Sequence, residues 1–468
     1  MPRDFCVHGH FYQPPREDPF SGIIAAEPGA EPFNNWNEKI YARCYQPNAE
    51  MGNFRKISFN IGPTLFTWLE QNHPCTYHQI LDQEREIFQR YAASNAMAQA
   101  CYHPILPLAS RRDKTTCILW GIHDYQHRYG HSPDGMWLPE CAVDIETLEV
   151  LAEEGILFTI LAPWQAATHQ LDVTQPYRVE LPDDNDIIVF FYEGYLSGAI
   201  SFDPPATINA DDFVQNRLLP TYPDNSNDNP LIIVASDGEL YGHHQPFREQ
   251  FLSHLLDGAA EAHGLIPTFP GVWLQDHEPE QSMAIYPNTS WSCHHGIERW
   301  RTTCPDGPTS TWKAPLRQAL DHLANEIDRS FEEALQPLCS DPWELRNEWM
   351  GVKLGELTAN EFFSSFAHAG INTGQRSMAE KMLTAEDHRF KMFASDAWFF
   401  EEFDRIEPCN AIRFGAYAAW LIKQAVGVDF YQDACADLAS VQSTISNLTG
   451  EKVFQTYWKW LEAQPGPA

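Results

Sequence analysis

The sequence has 468 residues, 43% of them apolar, which is long enough for two or three domains or for one large α/β barrel with an appendage. Its 64 acidic and 31 basic residues give a net charge of −33. Such a surface repels phosphate groups, so nucleic acid and anionic membranes are excluded as expected partners. Aromatic residues reach 13% and include 15 Trp, a content that suits stacking on sugar rings as well as a core.

The 11 cysteines are scattered without a CxxC pair, and their number is odd. This pattern predicts reduced thiols in a cytosolic protein rather than a disulfide framework or a zinc ribbon. The first residues, MPRDFCVHGH, lead directly into an expected strand, without a charged leader or an apolar signal region. No apolar stretch approaches the length of a membrane span. We therefore expect a cytoplasmic protein with no cofactor and no metal, and its oligomeric state stays open.

Short apolar runs recur along the first half of the chain, and most of them end in polar residues. They cover residues 5–10, 57–62, 96–103, 135–140, 158–163, 187–193 and 231–239. Amphipathic segments lie between several of these runs. One follows Glu140, where Asp144 is a suitable N-cap and Gly155 a suitable stop. Another follows His244, where Pro246 suits the first helical turn and Phe247, Phe251 and Leu255 form an apolar stripe. Strands that alternate with helices predict an α/β fold, an incomplete (β/α)7 barrel of TIM type.

Three further segments depart from this alternation. Residues 176–192 predict a β-hairpin turned at 182–186. Residues 222–230 predict a solvated loop. Beyond residue 312 the strand signals stop and helical periodicity covers 312–335, 355–369, 376–394, 410–425 and 429–447. We expect a barrel domain over residues 1–311 and an α-helical domain over 312–468.

Reactive groups of β/α barrels lie at the carboxyl ends of the strands. Glu140 is placed there, between a predicted strand and a predicted helix, and Pro139 and Trp137 make its setting stiff and apolar. A first-turn Glu that stabilises the helix dipole is the alternative interpretation.

Asp237 ends another apolar run and is followed by Glu239 and by a His pair that begins at His243. A capped strand-to-helix turn would explain the glycines, with Gly238 and Gly242 supplying positive φ. It does not explain the two carboxylates and the His pair together, so we favour a functional site.

Two carboxylates at different strand ends suggest the acid and the nucleophile of a retaining glycosidase. That chemistry needs the two groups about 5 Å apart across the scissile bond. The 97-residue separation of Glu140 and Asp237 in the sequence neither supports nor forbids such proximity.

Other side chains are candidates for sugar binding. His8 and His10 share one face of the first strand, and Gln13 follows them. A third metal ligand is not evident beside them, so hydrogen bonds to sugar hydroxyls fit better than a metal, and a buried His pair is the alternative. His103 lies at another predicted strand end.

The segment NTSWSCHHGIERW contributes Trp291 and His295. Its His-His pair could indicate a metal, but side chains adjacent in sequence rarely face one site. Trp398, in ASDAWFFEEFDRIE, is interpreted as an aromatic cover over the barrel mouth or as part of a packing patch. The predicted substrate-binding set is His8, His10, Gln13, His103, Trp137, Glu239, His243, Trp291, His295 and Trp398.

In type and order these motifs resemble those of glycoside hydrolase family 57. HGHFYQPP resembles the first motif, YHPILPL the second, WLPECA the third, SDGELYGHH the fourth and SDAWFF the fifth. The resemblance implies that Glu140 is the nucleophile and Asp237 the acid/base. NNWNEKIYARCYQPN and NTSWSCHHGIERWR resemble a subgroup whose C-terminal helical domain has no known function. The implied fold is a (β/α)7 barrel followed by helices.

The family includes α-amylases, 4-α-glucanotransferases, branching enzymes and α-galactosidases. The resemblance therefore implies a retaining enzyme that acts on α-linked oligosaccharides or polysaccharides, by hydrolysis or by transfer. Two alternatives remain. One is a metal-dependent carbohydrate enzyme, such as a deacetylase or a zinc mannosidase on a related barrel. The other is a glycan-binding protein without catalytic activity.

Overall fold

A computed structural model of the chain describes residues 3–223 and 229–464. Most of the loop predicted over 222–230 therefore lies outside the described residues. The chain divides into two compact units. The first unit comprises Met1–Gln13, Ala26–Cys101 and Tyr125–Trp291, and the second comprises Pro14–Ala25, Tyr102–Asp124 and Ser292–Ala468. The expected domains 1–311 and 312–468 remain a prediction.

The strands confirm the sequence pattern. They are β1 (Arg3–Phe11), β2 (Ser58–Ile61), β3 (Ala96–Gln99), β4 (Met136–Trp137), β5 (Phe158–Leu161), β6 (Tyr177–Glu180), β7 (Asp186–Phe191), β8 (Leu231–Asp237) and β9 (Leu265–Pro267). All seven predicted strands are present, as β1 to β5, β7 and β8. The predicted hairpin is the antiparallel pair of β6 and β7.

The long sheet has the parallel order β4-β3-β2-β1-β8, and β9 pairs with the first residues of β1. Strands β5 and β7 are parallel to each other. A parallel bridge between Gly135 and Phe158 joins the start of β4 to β5. Past the end of β7, the N–H of Glu193 donates to the C=O of Ile233 in β8, at 2.7 Å. Seven parallel strands in this order, with helices between them, form the predicted incomplete barrel.

Helices cover the barrel strands and make up most of the chain beyond residue 312. In chain order the α-helices are α1 (Trp36–Ile40), α2 (Gln46–Glu50), α3 (Pro63–Asn72), α4 (Pro74–Tyr91), α5 (Arg111–Tyr129), α6 (Ile145–Glu153), α7 (Gly194–Phe202), α8 (Ala210–Phe213), α9 (Arg248–His254), α10 (Ala260–Ala262), α11 (Pro270–Leu274), α12 (Lys313–Leu335), α13 (Pro342–Glu348), α14 (Met350–Lys353), α15 (Ala359–Phe366), α16 (Thr373–Lys391), α17 (Asp396–Phe399), α18 (Ile406–Val426), α19 (Tyr431–Leu438) and α20 (Gly450–Glu462). Within residues 3–223 and 229–464, none is both long and apolar enough to cross a membrane.

Sequence signals predict the start of α6 correctly and the start of α9 incorrectly. Asp144 caps α6 by accepting the N–H of Thr147, as predicted. Pro246, expected in the first turn of the next helix, precedes α9 instead, because Phe247 has a φ of 67° and interrupts the helical path there. Phe247 is also 72% exposed, so it does not belong to the apolar stripe of this helix.

We predict that Gly242→Ala lowers the free energy of unfolding by about 2 kcal/mol or more. Gly242 has a φ of 127°, and a Cβ there would lie 2.1 Å from the carbonyl oxygen of Arg43. Gly198→Ala is the matched control, because its Cβ would meet open space within α7. The control should gain about 0.5–1 kcal/mol. Denaturant unfolding of both variants checks the prediction, and equal stabilities would contradict it.

Candidate active site

The parallel register brings side chains of five strands to the same edge of the long sheet. Asp237 of β8 is the partner of His10 in β1, and His10 is the partner of Asn60 in β2. On the other side of β2, Gln99 of β3 is the partner of Trp137 in β4. All five lie at or near the carboxyl ends of their strands, where the barrel mouth was predicted.

A buried polar network supports this edge. His8 contacts Ser58 through Nδ1 at 2.9 Å and the amide oxygen of Asn60 through Nε2 at 3.1 Å. His10 Nδ1 lies 2.9 Å from the amide nitrogen of Asn60, which also donates to Gln99 Oε1 at 2.5 Å. Burial lowers the pKa of His8 and of His10 to about 3. Both imidazoles are therefore neutral near pH 7.

Aromatic rings line the same place. Trp137 is fully buried, and the rings of His8 and His10 stack on it with centroids 4.6 Å and 5.3 Å away. Trp291 meets Trp137 edge-on at 5.1 Å and His10 at 6.0 Å. The structure thus joins four residues of the predicted binding set in one cluster.

Glu140 has an unusual backbone. Its φ is 57° and its ψ is 20°, and the φ of Cys141 is 47°. Left-handed backbone at two successive residues other than glycine stores strain, which proteins tolerate mainly at functional sites. Trp291 holds Glu140 twice: its backbone N–H donates to the Glu140 C=O at 3.0 Å and its indole N–H to Oε2 at 3.1 Å. The alternative of an ordinary helix-capping Glu does not account for this conformation.

Asp237 interacts electrostatically with Glu140. Its side chain is exposed to solvent at the surface, but nearby protein atoms also desolvate it. This desolvation is the main cause that raises the pKa of Asp237 to about 7. The negative charge of Glu140 adds to the shift. Two carboxylates remote in sequence are therefore near each other and differ in their surroundings.

The glycine beside Asp237 has a different role from the one predicted. Gly238 does not adopt positive φ, whereas Gly242 does. A Cβ at Gly238 would lie 2.3 Å from the ring of Phe11. Gly238 is therefore required because the Phe11 ring packs against the backbone next to Asp237.

Glu239 is buried behind Asp237. It accepts the hydroxyl of Tyr45 at 2.7 Å and the backbone N–H of Tyr12 at 3.2 Å. Burial and the charge of Asp237 raise the pKa of Glu239 to about 8. Gln13 donates to the Tyr45 hydroxyl at 3.1 Å. Sequence reasoning missed Tyr45, although it lies in NNWNEKIYARCYQPN, a segment singled out for its resemblance.

His243 lies next to this group along the chain, and its backbone N–H donates to the Glu239 carbonyl at 3.1 Å. Its ring contacts Trp36 edge-on at 6.1 Å and the ring of His244 at 4.9 Å. Burial lowers the pKa of His243 to about 4. Its part in sugar binding remains a prediction.

Three predicted residues belong to the second unit. His103 Nδ1 lies 2.7 Å from the hydroxyl of Ser395, so the second and fifth motifs meet within that unit. His295 lies beside Cys304, with Nδ1 3.5 Å from the sulfur. Trp398 is only 1% exposed and donates its indole N–H to the Lys313 carbonyl at 3.3 Å. Protein atoms cover its ring, so it offers no free face for a sugar in this structure.

Comparison with known families identifies the chain. Residues 11–282, more than half of it, match the model of glycosyl hydrolase family 57. The chain belongs to this family. Residues 309–460 match a domain of unknown function, DUF3536. Both matches confirm the resemblance drawn from the motifs.

Curated relatives match only a part of the chain. The 4-alpha-glucanotransferase of Thermococcus litoralis is 27% identical over 171 residues, which cover 34% of this chain and 25% of that protein. Alpha-amylase 1 of Dictyoglomus thermophilum is 26% identical over 139 residues, covering 28% and 19%. The chain thus matches about a quarter or less of the length of these two relatives.

Solved structures match the fold over nearly the whole chain. The exo-type maltose-forming amylase of Pyrococcus sp. ST04 has a TM-score of 0.77 at 14% identity, covering 98% of this chain and 88% of that one. The family 57 branching enzyme of Pyrococcus horikoshii has a TM-score of 0.63 at 14% identity, covering 100% and 98%. These likenesses confirm the barrel-plus-helices fold class.

The strain at Glu140 makes a prediction about stability. Glu140→Gly should be more stable than Glu140→Ala by about 1 kcal/mol, because glycine adopts a φ near 57° without the steric cost that a Cβ adds. Both variants lose the same carboxylate, so the difference between their free energies of unfolding reports on the backbone conformation. Denaturant unfolding measures it, and an alanine variant at least as stable as the glycine variant would show that the backbone is not strained.

Proposed function

We propose that the protein is a retaining enzyme that acts on α-glucans, by hydrolysis or by transfer to another sugar. The observation that carries the proposal is the carboxylate pair of Glu140 and Asp237 at the barrel edge, in which the charge of one raises the pKa of the other. A retaining glycosidase needs two carboxyl groups with different protonation states across one glycosidic bond.

Glu140 would be the nucleophile. A hydrogen bond from the Trp291 indole N–H favours the ionised carboxylate and fixes the direction of Oε2. The strained backbone presents the side chain at the end of β4 in a defined orientation. Attack on the anomeric carbon breaks the glycosidic bond and forms a glycosyl ester with Glu140.

Asp237 would be the acid and then the base. With a pKa of about 7 it is about half protonated at neutral pH and can donate its proton to the departing oxygen. Esterification of Glu140 removes the negative charge that helps to raise this pKa. The pKa of Asp237 therefore falls in the intermediate, which suits it to take a proton from water or from an acceptor hydroxyl.

A neutral sugar chain is the substrate that best fits the surroundings. The rings of Trp137, Trp291 and two neutral histidines, His8 and His10, form an aromatic and hydrogen-bonding surface next to the carboxylate pair. The net charge of −33 disfavours phosphorylated substrates. The amylases and glucanotransferase among the relatives support α-glucans as the class. The odd number of cysteines and the lack of a CxxC pair in the sequence support a cytoplasmic location.

Glu140→Gln should abolish turnover, by several orders of magnitude, because the amide cannot form the glycosyl ester. The variant keeps an oxygen that accepts the Trp291 indole N–H, so its thermal unfolding should match that of the wild type. Glu146→Gln, in the first turn of α6, changes a half-buried carboxylate outside the proposed machinery and should keep full activity. The assay incubates each protein with maltooligosaccharides and amylose and analyses products. Near-wild-type activity in Glu140→Gln would remove the assignment.

Asp237→Asn should lose most activity on maltooligosaccharides but recover part of it on aryl glycosides, because a good leaving group departs without protonation. For the wild type, kcat on maltooligosaccharides should fall as pH rises through about 7, because the acid loses its proton there. This alkaline decline should be weaker on the aryl glycosides. If the variant is equally impaired on both substrate types, Asp237 has another role.

A further inference from the structure

Four side chains of the second unit converge in a group that the proposed activity does not use. They are Cys293, His295, Cys304 and Asp306, and one ligand atom of each lies within 4.8 Å of all the others. We call this group the Cys293 cluster. It lies in residues 292–312, where the regular structure is a single short 3-10 turn at Glu298–Trp300. Segments of this length without regular structure are uncommon unless they have a function or are tied down.

Two similar turns build the cluster. Cys293 and His295 occupy the first and third positions of a turn that Gly296 closes by donating its N–H to the Cys293 carbonyl at 3.1 Å. Cys304 and Asp306 occupy the same positions of a second turn, closed in the same way by Gly307 at 2.9 Å. Each turn therefore offers one sulfur and one harder ligand atom to a shared point.

Four of the distances within the cluster are close to the edges of a tetrahedron around a zinc ion. With Zn–S near 2.3 Å and Zn–N and Zn–O near 2.1 Å, tetrahedral angles put the sulfurs about 3.8 Å apart and the other ligand pairs about 3.4–3.6 Å apart. The two sulfurs are 3.6 Å apart, and Cys304 Sγ is 3.5 Å from His295 Nδ1. Asp306 Oδ2 is 3.8 Å from Cys293 Sγ, and Asp306 Oδ1 is 3.5 Å from His295 Nδ1.

The surroundings fit a cation bound by anionic ligands. Arg299 lies 3.6 Å from Asp306 Oδ2 and donates to the Ser292 carbonyl at 3.2 Å, which positions both the carboxylate and the backbone before Cys293. Buried Lys313 interacts electrostatically with both sulfurs of the cluster. These two cations offset the charge of −1 that two thiolates, one carboxylate and Zn²⁺ leave.

Access also differs across the cluster. The two cysteines are buried, whereas the side chains of His295 and Asp306 are 39% and 33% exposed. An ion can reach the cluster from the exposed side, and the sulfurs are shielded from solvent.

We propose that Cys293, His295, Cys304 and Asp306 together bind one Zn²⁺ ion that holds the segment 292–312 in place. Four protein ligands fill the tetrahedral positions, as in structural zinc sites, and leave none for a substrate. Binding converts both thiols to thiolates and releases their two protons. Paired sulfur ligands disfavour Ca²⁺ and Mg²⁺, which prefer oxygen ligands.

Sequence analysis expected no metal, because the cysteines form no CxxC pair. The ligands instead follow the pattern C-x-H-G and C-x-D-G, with seven residues between the two turns. Only one histidine of the His-His pair, His295, belongs to the cluster, as expected for neighbours in sequence.

Metal analysis of the full chain, purified from zinc-supplemented culture under reducing conditions, tests the proposal. We expect one zinc per chain, zinc X-ray absorption with two sulfur and two nitrogen or oxygen ligands, and a lower melting temperature after chelation that added zinc restores. Replacement by Co²⁺ should give the thiolate charge-transfer and tetrahedral ligand-field absorption bands. Wild-type protein that takes up no zinc, binds it without sulfur ligands or carries a Cys293–Cys304 disulfide would overturn the proposal.

Substitutions at the proposed ligands and at neighbouring residues test which side chains bind the ion. Cys304→Ser and His295→Ala should lose zinc, whereas His294→Ala changes the neighbouring histidine of the same turn and should keep one ion per chain. Arg299→Lys should weaken zinc binding by about 10- to 100-fold, as expected for a residue that positions a ligand. Zinc retained in a Cys293→Ser, Cys304→Ser double variant would refute the site. Glu140→Gln should keep its zinc. The zinc content therefore tests the proposed metal site independently of the proposed catalytic function.

Discussion

The parallel pairing of β1 with β8 on one side and β2 on the other is the constraint on which the proposed active-site edge depends. Its register places Asp237 beside His10 and His10 beside Asn60. Because side chains alternate along a strand, a shift by one residue would turn His8 and His10 away from Trp137 and from the amide of Asn60. Because these strands are apolar and buried on both faces, their register is fixed. The polar side chains of one strand make their hydrogen bonds with side chains of the neighbouring strand.

The two carboxylates at this edge owe their difference to their surroundings. Glu140 is held by two hydrogen bonds from Trp291 on a strained turn. Desolvation and the charge of Glu140 raise the pKa of Asp237 to about 7. The buried Glu239 behind it is held by Tyr45. One site thereby contains acidic groups with different proton affinities, which is the arrangement that general acid catalysis beside a nucleophile requires.

In the second unit, polar side-chain contacts stabilise a segment that has little regular secondary structure. Its long helices α12, α16 and α18 bury apolar faces, whereas the segment 292–312 consists of turns and one short 3-10 turn. Arg299 and the Cys293 cluster supply the polar contacts there. A bound ion in this segment would stabilise the unit without taking part in the reaction proposed for the barrel edge.

Local sequence signals alone determined the seven barrel strands, the hairpin of β6 and β7 and the two carboxylates at strand ends, because apolar runs and the residues that end them are properties of neighbouring positions. The tertiary structure decided the left-handed turn at Glu140, the contact of Tyr45 with Glu239, the burial of Trp398 and the convergence of the Cys293 cluster. Each of these depends on backbone conformation or on contacts between residues that are not neighbours in the sequence, and neither periodicity nor composition specifies them.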